Sequence, residues 1–278
     1  IKIPDLLVTA NGTLLAMGEA RKGSCSDFTD TDLVVKRSHD NGATWSALYV
    51  LHSESGHVVG NAAPVQLRSG RILIPFCRDN RDVWISFSDD DGATFSAPKA
   101  LPGAVKSNWK WIGLGPPAGL VLESGRVLIP SYHTVVIHGD GELSQGHVMY
   151  SDDDGQNWKL SDSFGNNVHL PNECQAVDLG NNTVLVASRG QTNHRLQTVS
   201  RDGGLTWGGT SLVKDLNEPL QGCEGSIIRA KPAPTASDGT APKLYFSGPQ
   251  SSPPSYLYRS HMALFESDDL GTSWQKHA

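Results

Sequence analysis

The sequence predicts an all-β fold, a β-propeller built from antiparallel sheets of about four strands each. The main evidence is a motif of the form S-x-D-x-G-x-[TNS]-[WF], which recurs five times at intervals of 49 to 67 residues. An interval of this length accommodates one four-stranded sheet per repeat. In addition, no stretch of ten or more residues shows the periodicity of an amphipathic helix. The five copies, called boxes below, occupy residues 38–45, 88–95, 151–158, 200–207 and 267–274.

The boxes are predicted to be turns that stabilise the fold. Each follows a β-rich run such as DVWISFS and contains a Gly, which adopts a positive φ in a tight turn at low cost. The Asp side chain is expected to accept hydrogen bonds from the turn, and the aromatic residue to pack beneath it. The DDDG segments resemble part of a calcium loop, but both flanks are strands and no Glu follows at the twelfth position.

The chain, residues 1–278, is predicted to form a single domain. The Pro-rich segments 231–243 and 249–255 are interpreted as loops between strands rather than as linkers between domains. Hydrophobic residues make up 38% of the sequence, which is enough for a packed core. No apolar run has the length of a transmembrane helix, so no transmembrane segment is expected.

Composition also narrows the class of partner. A net charge of −6 gives no basic surface for nucleic acid, so none is expected as a partner. The ten His are scattered and the four Cys have no C-x-x-C spacing, so no metal site is predicted. The sequence does not indicate a cellular compartment.

The segments between the boxes resemble the exo-α-sialidase (neuraminidase) family. In order along the chain these are IKIPDLL, EARKGSCSDFTDTDLVVKRS, GNAAPV, GLGPPAGLVLESGRVLIPSY, NECQAVDLGNNTVLVASRG and QGCEGSII. The resemblance covers essentially the whole chain and implies a six-bladed propeller. It implies retaining hydrolysis of terminal α-linked sialic acids on glycoproteins, glycolipids or oligosaccharides, without a cofactor. The alternatives are a sialic-acid-binding propeller that lacks the chemistry, a trans-sialidase, and a structural or receptor-type propeller that shares only the boxes. The last of these predicts that Lys2, Arg189 and Arg259 do not cluster.

The resemblance assigns three cations to the carboxylate of the sialic acid. They are Lys2, Arg189 and Arg259. Arginine suits this task because its planar fork matches a carboxylate bidentately. The family has Arg at the first position, so Lys2 retains the charge but loses the fork.

The same resemblance assigns the chemistry to Asp27 and Glu173. Asp27 follows Arg21 at the family's spacing and corresponds to the acid/base, with Asp30 as a nearby competitor. Glu173 corresponds to the partner of a tyrosine nucleophile, which sialidases use in place of a carboxylate. None of the residues after Arg259 is Tyr, so the chain is expected to be truncated at its C-terminus, with the last blade incomplete.

Three further residues are expected to border the sugar. Arg21 is placed near O4 of the sialic acid, or else pairs with an acid. Asn61 either occupies a pocket position where some bacterial relatives have Asp or is a turn residue. Tyr132 either touches the glycerol or N-acetyl arm or belongs to the core. The tryptophans Trp109 and Trp111 form either an apolar wall of the pocket or a buried pair.

Overall fold

The structure is a computed structural model that describes residues 1–137, 141–230, 242–250 and 259–277. These residues form 22 β-strands, and no α-helix occurs within the described ranges. The loops predicted at 231–243 and 249–255 lie for the most part outside the described residues. The strands are β1 (Lys2–Val8), β2 (Leu14–Arg21), β3 (Thr31–Ser38), β4 (Tyr49–His52), β5 (Val59–Gly60), β6 (Val65–Gln66), β7 (Ile72–Arg78), β8 (Asp82–Ser88), β9 (Lys99–Ala100), β10 (Trp109–Leu114), β11 (Leu120–Val121), β12 (Val127–Ile137), β13 (Gly141–Ser151), β14 (Lys159–Leu160), β15 (Cys174–Gly180), β16 (Thr183–Ser188), β17 (His194–Ser200), β18 (Ser211–Asn217), β19 (Ser226–Arg229), β20 (Leu244–Pro249), β21 (Met262–Ser267) and β22 (Gln275–Lys276).

The strands form five antiparallel sheets in chain order, so the all-β propeller prediction is confirmed. The first sheet contains β1–β4, the second β5–β9, the third β10–β14, the fourth β15–β18 and the fifth β19–β22. In the second and third sheets two short strands pair side by side with the same neighbour. In the third sheet, Pro116 and Pro117 separate these two strands, and proline has no N–H to donate to a ladder.

The described residues form five blades, which differs from the expectation of six with an incomplete last blade. Each box lies between the last two strands of one sheet, so the five boxes account for five sheets. The fifth sheet has the same four-strand order as the first and the fourth, and its box joins β21 to β22. The last blade present is therefore complete.

Consecutive sheets pack face to face through four hydrophobic clusters, one at each junction. Ile72 and Phe76 of the second sheet meet Leu15 and Leu33 of the first, and similar clusters join each later pair. Between the fifth and first sheets, the described residues form no such cluster. Instead, exposed apolar side chains line the space between these two sheets, and they are Leu6, Ile228 and Met262. We call this space the open groove.

The third box shows how a box holds its turn. The Asp153 carboxylate accepts hydrogen bonds from the Ser151 hydroxyl at 2.8 Å, the Asn157 N–H at 2.8 Å and the Asn157 amide at 2.7 Å. The Ser151 oxygen accepts the N–H of Gly155, which has a φ of 79°. The indole of Trp158 donates to the Gly155 carbonyl and so closes the turn. The box thus satisfies most of its polar groups internally.

These hydrogen bonds predict where acid weakens the fold. Bonds from the Asn157 backbone, the Asn157 side chain and Ser151 lower the pKa of Asp153 from 3.8 to about 2, so its contribution to stability is present above 3.8 and disappears as the pH falls towards 2. We expect Asp153→Asn to flatten the dependence of the urea midpoint on pH within this window. Asp154→Asn is the control, because Asp154 makes none of the box hydrogen bonds among the described residues. An equal effect of both variants would contradict the assignment.

Candidate active site

A cavity of about 260 Å³ opens among the first four sheets, near the ends of their inner strands. Six of the eight residues proposed from the sequence line it together. They are Arg21, Asp27, Asn61, Tyr132, Glu173 and Arg189. The other lining residues are Ile3, Glu19, Val58, Asn80, Trp111, Thr134 and Asn172.

Arg21 links two acidic groups on one side of the cavity. Its Nε and Nη2 donate to Glu19 Oε2 at 3.0 and 2.7 Å, and its Nη1 donates to Asp27 Oδ1 at 2.6 Å. The same Nη1 also donates to the carbonyl of Cys25, within the loop that carries Asp27. Arg21 therefore fixes the position of that loop relative to β2. The pairing with an acid, one of the two roles considered for Arg21, is present.

Glu19 is a cavity residue that the sequence analysis did not single out. It is buried, and its Oε1 accepts the N–H of Asn61 at 3.0 Å. Its side chain lies against Gly60, where an added Cβ would overlap the carboxylate. Asn61 itself has a φ of 48°, in the left-handed region that Asn tolerates better than most residues. The sequence signal was a Glu within the largely apolar strand β2, two residues before Arg21.

Glu173 and Arg189 face each other on the opposite side of the cavity. Cys174 of β15 pairs with Ser188 of β16, so the residues just beyond, Glu173 and Arg189, are brought together by the hairpin. The Arg189 N–H donates to the Glu173 carbonyl at 2.7 Å, and Arg189 Nη1 donates to Glu173 Oε2 at 2.9 Å. The separation of sixteen residues in the sequence is therefore a consequence of the length of this hairpin.

A loop behind Arg189 holds the guanidinium in place. The Gln221 carbonyl accepts a hydrogen bond from Arg189 Nε at 2.9 Å. Next to it, Gly222 has a φ of 69°, and an added Cβ would approach Arg189 Cγ to 2.7 Å. The loop is anchored by a buried ion pair, in which Arg195 Nη1 donates to Glu218 Oε1 at 2.7 Å and to the Cys223 carbonyl at 2.8 Å.

Tyr132 and Trp111 form the wall contributed by the third sheet. Tyr132 is buried, and its hydroxyl accepts the Trp111 indole N–H at 3.2 Å. Burial, together with the nearby Glu173 charge, raises the pKa of Tyr132, so the phenol stays protonated at neutral pH. Trp111 lines the cavity, whereas Trp109 is buried and stacks on His133 at 3.9 Å. Trp111 thus belongs to the wall of the cavity, whereas Trp109 is buried beside His133 and the two tryptophans do not form a pair.

Lys2 and Arg259 do not line the cavity. Lys2 is exposed at the start of β1, opposite Glu19 in the strand register, and the register shifts between Lys2 and Asp5. Arg259 is exposed and lines the open groove with Cys223. Burial raises the pKa of the Cys223 thiol, while the charges of Arg259 and Arg189 oppose that rise. Both guanidinium groups therefore lie in the surroundings of one thiol.

The comparison with protein families assigns the chain. A model described as "BNR repeat-like domain" matches residues 12–278. The chain belongs to this BNR repeat-like family. The match covers all five boxes and the whole lining of the cavity except Ile3.

Similar proteins carry the name sialidase. This BNR repeat-like domain is 26% identical to a sialidase of Paraclostridium sordellii, over 86% of this chain and 64% of that protein. It is 24% identical to a sialidase of Clostridium perfringens, over 99% and 77% respectively. It is 30% identical to Sialidase-4 of Homo sapiens, over 84% of this chain and 54% of that protein. The chain thus spans about half to three quarters of the length of these relatives.

Solved structures show the same fold. The Hadza microbial sialidase Hz136 superposes with a TM-score of 0.86 at 24% identity, over 98% of this chain and 57% of that one. The intramolecular trans-sialidase of Ruminococcus gnavus superposes with a TM-score of 0.80 at 15% identity, over 99% of this chain and 83% of that one. At these identities the likeness supports the propeller fold of the BNR repeat-like domain and nothing finer.

Two further properties concern the described ranges alone. There, no group of three or more His, Cys, Asp or Glu side chains is arranged to hold a metal ion. Nor does any helix within those ranges have the length and apolar character needed to cross a membrane.

The buried Arg195–Glu218 pair predicts a large effect on stability. Glu218→Leu leaves a buried guanidinium without its counter-charge, so we expect the free energy of unfolding of the domain to fall by about 3–5 kcal/mol. The double variant Arg195→Met/Glu218→Leu removes both charges and should recover most of this loss. Urea denaturation measures both.

The control for this prediction is the exposed pair of Arg71 and Asp89. Asp89→Ala should change stability far less than Glu218→Leu, because water screens an exposed pair. If the double variant proved as unstable as Glu218→Leu alone, the stability would depend on the shape of these side chains and not on their charges.

Proposed function

We propose that this protein is an exo-α-sialidase that releases terminal α-linked sialic acids from glycoconjugates with retention of configuration. The observation that carries the proposal is the meeting, in one cavity, of the Arg189–Glu173 pair and the Arg21–Asp27 pair. These residues come from four separate segments of the chain and from the first and fourth sheets. The names of the relatives support the same activity.

In this proposal Arg189 binds the carboxylate of the sialic acid. Its Nε and Nη1 are occupied by Gln221 and Glu173, whereas Nη2 makes no hydrogen bond in the part of the chain that the structure describes. Nη2 is thus available for a carboxylate oxygen. Arg259 and Lys2 would complete the clamp from the open groove and from the start of β1, which requires their exposed side chains to turn towards the sugar.

Asp27 is proposed as the general acid and base. Its side chain is 68% exposed, so it can exchange its proton with water, while Arg21 holds the loop beside the cavity. In the first step Asp27 donates its proton to the glycosidic oxygen as the leaving sugar departs, and a tyrosine oxygen bonds to the anomeric carbon. In the second step Asp27 removes a proton from water, which displaces the tyrosine. Two inversions give net retention.

Glu173 is proposed to take the proton of the nucleophilic tyrosine. Tyr132 does not fit the nucleophile, because its raised pKa disfavours the phenolate and its hydroxyl already accepts the Trp111 N–H. We assign Tyr132 to contact with the glycerol or N-acetyl arm. Asn61 and Arg21 are assigned to the neighbouring part of the sugar ring.

The nucleophile is proposed to lie on strands that fill the open groove and complete a ring of six sheets. The exposed apolar faces of β1 and β21 support this, since Leu6 and Met262 are 56% and 70% exposed. Arg259 also lines the groove, so a residue seated there would be close to the proposed carboxylate clamp. The proposal needs no cofactor, and its partners are sialylated glycans.

A sialic-acid-binding protein without hydrolysis is the second candidate. It is favoured by Lys2 in place of the family's Arg. A trans-sialidase shares the cavity chemistry and differs only in the acceptor that displaces the tyrosine.

Turnover of a fluorogenic α-sialoside tests the main proposal. We expect the protein that includes the strands proposed to fill the open groove to release the fluorophore, with the α-anomer of sialic acid appearing first in the NMR spectrum. Asp27→Asn and Glu173→Gln should each lower the rate by about 100-fold or more. The control is Asp162→Asn, because Asp162 is an exposed acid in the connection between the third and fourth sheets. Binding of the sialoside without release of the fluorophore would favour the second candidate. If the protein neither bound nor hydrolysed the sialoside, both candidate functions would be refuted.

The Lys2 assignment has its own test. We expect Lys2→Arg to strengthen binding of an S-linked methyl α-sialoside by about threefold to tenfold, because the guanidinium adds a bidentate contact. Lys36→Arg, at an exposed position of β3, serves as the matched control and should change nothing. Titration calorimetry gives the dissociation constants. If Lys2→Arg and the unmodified chain bound the sialoside with equal affinity, the assignment of Lys2 to the carboxylate clamp would be wrong.

A further inference from the structure

Phe28 is an exposed aromatic residue beside the proposed acid. It directly follows Asp27, and 78% of its surface is exposed. It does not line the cavity, but its ring meets Trp111, which does, edge to face at a centroid distance of 6.1 Å. The two rings therefore run continuously from the cavity wall to its outer rim.

The fold of this loop does not depend on Phe28. Its neck is closed by the Lys22 N–H, which donates to the Asp30 carbonyl, and by the Thr29 hydroxyl, which donates to the Lys22 carbonyl. The Cys25 carbonyl and the Asp27 carboxylate are held by Arg21. None of these bonds uses the ring, so a polar side chain at position 28 would serve the loop as well. The exposed ring is thus accessible to a ligand that extends beyond the rim of the cavity.

The size of the cavity indicates which part of a ligand reaches Phe28. About 260 Å³ is room for roughly one monosaccharide, so the remainder of a glycan lies outside. In the proposed mechanism Asp27 contacts the glycosidic oxygen, which is the boundary between the sialic acid and the leaving sugar. Phe28, which follows Asp27 in the sequence and faces solvent, would therefore lie beside the leaving sugar.

We propose that Phe28, supported by Trp111, is a specificity residue that packs against the apolar C–H face of the sugar attached to the sialic acid. This inference rests on the proposed function, because it takes the position of the leaving sugar from Asp27. A flat ring at this position favours a sialic acid attached to a pyranose over one attached to a small alkyl group.

Two non-hydrolysable probes separate this contact from binding of the sialic acid itself. They are the S-linked methyl α-sialoside and S-linked sialyllactose, which share the sialic acid and differ only in the attached group. We expect the unmodified chain to bind the sialyllactose about tenfold more tightly. Phe28→Ala should remove this difference while changing the affinity for the methyl sialoside by less than about twofold. Phe28→Tyr should retain the difference.

Val168→Ala is the matched control, because Val168 is also exposed, at 72%, and does not line the cavity. It should leave both affinities unchanged. Equal weakening of both probes by Phe28→Ala, or no preference in the unmodified chain, would overturn the role of Phe28 and leave the proposed function standing. Failure of the unmodified chain to bind either probe would overturn both.

Discussion

Burial of negative charge around and behind the cavity is the constraint on which the rest of the site depends. A carboxylate is very costly to remove from water unless a cation and hydrogen bonds compensate it. The chain meets this requirement with three arginines. Arg21 compensates Glu19, Arg189 compensates Glu173, and Arg195 compensates Glu218. The second and third pairs each connect two segments of chain, and Arg21 also binds the loop that carries Asp27. The arginines that neutralise the charge therefore also position the loops around the cavity.

Two further acids have no arginine partner among the described residues. Burial, then the charge of Glu173, raises the pKa of Glu224 to about 8, and burial raises that of Asp5 as well. In the described part of the chain the Asp5 carboxylate has no hydrogen-bond partner. Both groups line the open groove, outside the set of compensated pairs. Glu224 and Asp5 thus form a second group of acids, which lies beside the groove and not around the cavity.

The fold class followed from the sequence because it rests on local chemistry. A box determines its own turn, and five boxes indicate five repeats of the same sheet, whatever lies between them. The pairing of Glu173 with Arg189 was also accessible, since a hairpin of regular length brings its two ends together. The count of six blades rested on the resemblance, and the described residues hold five.

Other parts of the site depend on contacts between residues that are far apart in the sequence, and no local sequence pattern predicts such contacts. Glu19 matters because Gly60, from the next sheet, leaves room for its carboxylate. The loop at Gly222 approaches Arg189 from the connection between the fourth and fifth sheets. Lys2 lies away from the cavity because the strand register shifts after it. Such placements come from the stacking of one sheet on the next, which the sequence does not express as a motif.

The four hydrophobic junctions also have a consequence for how the molecule folds. Each sheet is a meander of consecutive strands, so it forms from contacts that are close in sequence, and it is then stabilised only by its immediate neighbours. Such an arrangement behaves as a one-dimensional array whose cooperativity is transmitted from unit to unit. The second, third and fourth sheets have two neighbours each, while the first and fifth have one among the described residues. Among these sheets, unfolding therefore starts most readily at the first and the fifth and proceeds towards the third. A partner seated in the open groove would join those two sheets and turn the linear array into a closed one.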